Sequence, residues 1–136
     1  MTPGWLKQMI LTPLPGPKLD LSGTAKQVMD IYKAGGRVVA GTDQPDGIYL
    51  HSELASYVRY GMTPYEALRA ATVVPANFLG LDAGVIAPGK LADILLVEGD
   101  PLQDIGAAHR IRQVVANGRR FTMEDLLSGK AKNAPR

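Results

Sequence analysis

Cysteine is absent from the 136 residues. That excludes disulfides, thiolate metal sites and cysteine nucleophiles, and it leaves the redox compartment open. Histidine is scarce: His51 and His109 are the only two, and neither forms a His-x-His pair. No run approaches the roughly 18 apolar residues of a membrane span. Met1 to Gly16 has no basic region leading into a long apolar stretch, so no secretory leader is expected. The expectation is a soluble chain, cytoplasmic by default and with no membrane partner.

What is present is the composition of a globular domain, 46% hydrophobic and 21% charged. The net charge of +2 is unevenly placed. Residues 1–108 carry 8 basic and 11 acidic side chains, whereas residues 109–136 carry 7 basic and 2 acidic. A basic end can mark nucleic-acid binding. Here Arg110, Arg112, Arg119 and Arg120 fall as on a solvated strand face, without aromatic interleaving or a helix-turn-helix pattern. No nucleic-acid partner is expected.

Residues 1–23 form a proline-rich lead-in in which Trp5, Met9 and Ile10 could share one face of a short helix. Thr24 is the expected cap of a helix carrying Val28, Met29 and Tyr32, and Gly35-Gly36 is its stop. Arg37 to Thr42 is a short apolar run without alternation, the pattern of a parallel strand buried on both faces. After a loop, Leu50, Leu54, Tyr57 and Val58 define a helix ended by Gly61. Thr63-Pro64-Tyr65-Glu66 spells a capping box with proline at the first helical position, and Pro75 is expected to open one more short helix stopped by Gly80. From residue 83 strands are expected instead, at Ala92–Val97 and Ile111–Ala116. Asn117-Gly118 turns the second into a strand through Phe121, and Thr122 caps a short helix from Met123 to Leu127. The divisions expected are 1–23, 24–82, 83–122 and 123–136, the last a short helix with a disordered basic tail.

Asp43 directly follows the apolar run. In α/β barrels functional groups sit at the carboxyl ends of strands, where a carboxylate can bind a cation or take a proton from bound water. An aspartate that merely holds the loop, together with Asp46, is the plain alternative.

Four blocks then carry a family resemblance. Ala40-Gly41-Thr42-Asp43 with Leu50-His51-Ser52-Glu53-Leu54 resembles the last barrel strand and following helix of the amidohydrolase superfamily, in its imidazolonepropionase-like and prolidase-like branch. The segments Gly61 to Thr72 with Pro75-Ala76, Gly84 to Asp93 with Gly99-Asp100-Pro101, and Val114 to Arg119 resemble later blocks of that family in the same order. The resemblance implies an α/β fold: the C-terminal part of a metal-dependent (β/α)8 barrel, namely its last strand plus helices, followed by part of a small β-sandwich. It implies that Asp43 ligates a divalent metal, zinc foremost, and accepts the proton of the attacking water in hydrolysis of C–N bonds. A small amide, cyclic amide or dipeptide would be the substrate.

A complete barrel takes about 250 residues, and a catalytic zinc ordinarily has three protein ligands. The histidines and carboxylated lysine that the family places on earlier strands have no counterpart here. The chain by itself is therefore expected to be inactive and without a cofactor of its own, and to need a complementary chain or self-association. The competing reading is a truncated, non-catalytic interaction or oligomerisation module. His51, at a helix start on the rim that Asp43 would occupy, is a substrate-contact candidate, with a structural role as the alternative. His109 is expected to be exposed, and Asp93 to be structural.

Overall fold

The computed structural model describes residues 22–42 and 47–128. The helix expected around Trp5, Met9 and Ile10, residue Asp43 and the tail from Gly129 lie outside the described residues. The protein is a mixed α/β chain whose helices come first and whose small antiparallel sheet follows.

Helix α1 (Ser22–Lys33) begins two residues before the expected cap at Thr24. Ser-Gly-Thr offers several starts of similar propensity, and local sequence fixes helix ends only to within a residue or two. Its end is a Schellman turn: Gly36 N–H donates to the Ile31 carbonyl and Gly35 N–H to that of Tyr32. Helix α2 (Ile48–Tyr60) ends in the same way at Gly61, where φ is +125°. A side chain there would be strained. The turn also sends Met62 N–H back to the Tyr57 carbonyl at 3.0 Å, which carries the Met62 side chain into the core.

Thr63 caps α3 (Pro64–Ala70) through the full capping box read from the sequence. Its hydroxyl accepts from Glu66 N–H at 3.2 Å, while the Glu66 carboxylate accepts from Thr63 N–H at 2.7 Å. The Thr63 N–H, the Tyr32 hydroxyl and the Thr63 hydroxyl hold the Glu66 carboxyl below its ordinary pKa. Helix α4 (Val73–Leu79) starts two residues ahead of Pro75. Proline fits there because an N–H in the first turn has no acceptor within the helix.

Met29, Leu54, Tyr57, Met62, Ala67 and Ala70 form one buried cluster joining α1, α2 and α3. Burying a side chain such as Leu54 contributes roughly 1.5–3 kcal/mol. Beside this cluster runs residues 36–42, the segment expected to be a strand buried on both faces. It belongs to no sheet among the described residues. Its side chains alternate, with Val38 and Ala40 against the core and Val39 43% exposed. Its tie to the helices is Ala40 N–H donating to the Ala70 carbonyl at 2.8 Å. The segment is not buried on both faces, because the described residues supply no strand partners beside it.

Strands β1 (Ile94–Val97), β2 (Ile111–Ala116) and β3 (Arg119–Thr122) form an antiparallel meander in that order. β1 is two residues shorter than expected at its start. Ile94 faces Val115, and Val114 faces both Leu95 and Phe121. Asn117 (φ +50°) and Gly118 (φ +75°) make the tight turn with both central residues at positive φ. A 3-10 turn (Ile105–His109) crosses between β1 and β2 and buries Ala107 and Ala108. Helix α5 (Met123–Leu127) is capped by Thr122 with Asp125 in a second capping box. The chain between α4 and β1 is pinned by side-chain and backbone contacts, among them Leu91 N–H to the Asp82 carbonyl and Gly118 N–H to the Ala92 carbonyl. Lys90 reaches Asp82 at 2.8 Å, and Asn117 N–H donates to the Asp93 carboxylate at 2.6 Å.

Candidate functional site

The sequence pointed to the junction between the extended segment and α2. The loop carrying Asp43 lies outside the described residues, and its two flanks define the frame. On one side, Ala40 is held to Ala70, and the segment runs on to Thr42. On the other, Gly47 precedes α2, whose first turns carry His51 and Glu53.

Glu53 is already engaged, because its carboxylate accepts from the Tyr57 hydroxyl at 2.5 Å, one turn along the same helix. Burial first, and then the hydrogen bond to Glu53, push the Tyr57 phenol far above its ordinary pKa. This pair ties the two side chains to each other one turn apart.

His51 is half-buried, and its Nδ1 is fully enclosed with no hydrogen-bond partner among the described residues. Its ring meets that of His109 edge-on, with centroids 6.1 Å apart and planes at 74°. Burial, and then the nearby His109, lower the His51 pKa below its ordinary 6.5. Sequence reasoning treated the two histidines separately. Nothing in local spacing could have joined them, because the contact is made by packing α2 on the 3-10 turn. His109 is exposed, as expected, yet not isolated.

Asp93 sits as expected in the β region, where it anchors the hairpin turn and is remote in role from any catalytic group. Arg112, Arg119 and Arg120 lie exposed on the sheet strands. Arg112 pairs with Glu98, and Arg119 lies over the Phe121 ring.

Among the described residues no group of three or more His, Asp or Glu side chains could hold a metal ion. Among the described residues a second imidazole, that of His109, stands beside His51, and two imidazoles fall short of the donor set a catalytic zinc ordinarily uses. The donors described do not fit a complete metal centre.

The Amidohydrolase family model matches residues 14–121. The chain belongs to the amidohydrolase family. It is 38% identical over 120 residues to imidazolonepropionase of Deinococcus deserti, covering 82% of this chain and 30% of that protein. It is 33% identical over 108 residues to adenine deaminase of Methanosphaera stadtmanae, covering 77% of this chain and 19% of that protein. Among solved structures it resembles a Xaa-Pro dipeptidase with methionine bound in its active site. There the TM-score is 0.66 and the identity 28%, over 75% of this chain and 25% of the other. These likenesses bear out the imidazolonepropionase-like and prolidase-like branch read from the sequence. The amidohydrolase chain thus spans less than a third of the length of each of these relatives.

Proposed function

We propose that this amidohydrolase chain is the C-terminal portion of a metal-dependent hydrolase of C–N bonds, and that it contributes Asp43 to an active site whose other metal ligands lie on strands outside it. The observation that carries the reading is the ordered match of residues 14–121 to the family, together with coverage of only 30% of the imidazolonepropionase relative. In this reading residues 37–42 become the last strand of a (β/α)8 barrel once neighbours flank them. Residues 24–82 then belong to the barrel and 83–122 to a small β domain. A divalent metal, zinc foremost, would supply Lewis acidity and an activated water in the completed enzyme. The substrate would be a small amide, cyclic amide or dipeptide, and His51 would stand on the same rim as a substrate contact.

The chain alone is inactive in this reading and binds no stoichiometric metal, because one carboxylate is not a zinc site. A complementary chain, or further copies of this one, would supply the missing strands. Among the described residues the outer edge of β1 pairs with no strand, and Ile86, Leu95 and Leu96 are exposed; both support that need.

The test is elemental analysis and mass of the purified chain, followed by reassembly with a complementary barrel fragment from an imidazolonepropionase-like relative. Little bound metal, no hydrolysis alone, and activity on reassembly that Asp43→Asn abolishes are expected. Stoichiometric zinc with hydrolysis by the chain alone would overturn the incomplete-site reading. Full activity of reassembled Asp43→Asn would overturn the role of Asp43. A chain that never gains activity but forms a defined oligomer, unaltered by Asp43→Asn, would favour the interaction-module reading instead.

A further inference from the structure

We infer that the contact between His51 and His109 is a proton-sensitive latch, which fastens the 3-10 turn to the start of α2 when both rings are neutral and releases it when they are charged. The inference is independent of the hydrolase reading.

The geometry gives three reasons why charge opens the contact. First, Nδ1 of His51 is enclosed without an acceptor among the described residues. A charged imidazole donates from both nitrogens, so protonation would leave a buried N–H unsatisfied, which is costly. Second, the His109 ring is 6.1 Å away, and two cations at that distance repel. Third, His51 stands near the N-terminal end of α2, where the helix dipole disfavours positive charge.

No carboxylate described around the pair offsets these effects. On α2, Glu53 is occupied by Tyr57, and Arg59 adds positive charge. Beside the 3-10 turn, Asp104 accepts from Gly106 N–H and faces Arg110 at 3.6 Å, while Arg110 also donates to the Glu98 carbonyl. On α1, Lys26 and Asp30 pair with each other. On α3, Glu66 is taken up by the capping box, and Arg69 lies over the Tyr65 ring. Burial first, and then the neighbouring His109, lower the His51 pKa.

What the latch holds is the seam between the two parts of the molecule. Ile105 of the 3-10 turn packs on the helical cluster, and Ala107 and Ala108 are buried behind it. The sign follows from linkage. A histidine whose folded pKa is lowered takes up more protons when unfolded, so stability rises with pH and is lost as pH falls below about 6.5. Local opening of the turn follows the same slope.

The experiment uses the full chain. The two histidine ring signals are titrated by NMR, and amide exchange at Ala107 and Ala108 is measured at pH 7 and pH 5 and corrected for intrinsic rates. His51 is expected to titrate below 6.5. Protection at both alanines should fall severalfold between pH 7 and pH 5, in the direction that linkage to a lowered His51 pKa requires. In His109→Gln, at an exposed position, the His51 midpoint should move upward and the loss of protection should shrink. In His51→Gln the loss should vanish. A His51 midpoint at or above 6.5, protection independent of pH, or the same acid loss in both variants would overturn the latch.

Discussion

The helical part of the chain and its sheet are held together by different forces. α1 to α3 enclose Met29, Leu54, Tyr57, Met62, Ala67 and Ala70, all of them buried. The sheet and its approaches bury only Ala107 and Ala108 among the described residues, while Leu95 is 53% exposed and Ile86 83%. The helices draw stability from side-chain burial. The meander rests on its ladder, its tight turn and the Asp93 anchor, and these organise the backbone without a dry interior. The lesson is that regular secondary structure and a hydrophobic core are separable. In this chain they are allotted to different segments.

The sharpest way to break that contrast is to delete one leucine from each part. Leu54→Ala is expected to cost about 2–5 kcal/mol in urea unfolding, whereas Leu95→Ala, already open to solvent, should stay within about 1 kcal/mol. Equal losses would mean that the sheet carries a core of its own. The joint between the parts comes next. Gly84 has φ +81°, and a Cβ there would lie 2.7 Å from the Thr72 carbonyl oxygen. Gly84→Ala should cost roughly 1–3 kcal/mol, read as a lower unfolding midpoint. A smaller effect comes from the two capping boxes, which share one chemistry in the two settings. Thr63→Ala should destabilise by about 1 kcal/mol. Thr122→Ala should fray only α5, visible as faster amide exchange there with little change in the global midpoint.

The smallest effect is electrostatic. The folded pKa of Glu66 lies below its ordinary 4.5, so its contribution is present above that pH and lost as pH falls through the lowered value. Glu66→Gln should flatten the acid limb of the stability curve relative to the wild type. An unchanged slope would show that the box holds without the charge.

Much of this architecture was legible beforehand, wherever the determinant is local. Thr63 with Glu66, Gly61 after Tyr60, and Asn117-Gly118 each act within a few residues, and each appears where the pattern placed it. Start positions slipped at Ser22 and Val73, because neighbouring residues serve equally well as helix starts. The segment Arg37 to Thr42 reads as a buried strand, yet it stands extended with Val39 open to solvent. Among the described residues no strand flanks it, so its apolar run has no sheet in which to be buried. For the candidate site, the sequence located His51 at the start of α2 but could not pair it with His109.

By itself the sequence determined the caps, the stops, the hairpin and the family, because each is written in contiguous residues or in the order of short blocks. Only the tertiary structure decided that the helices own the core, that Arg37 to Thr42 pairs with no strand among the described residues, and that two distant histidines share a seam. Those outcomes depend on which surfaces meet, and burial and pairing are properties of two partners that no single segment encodes.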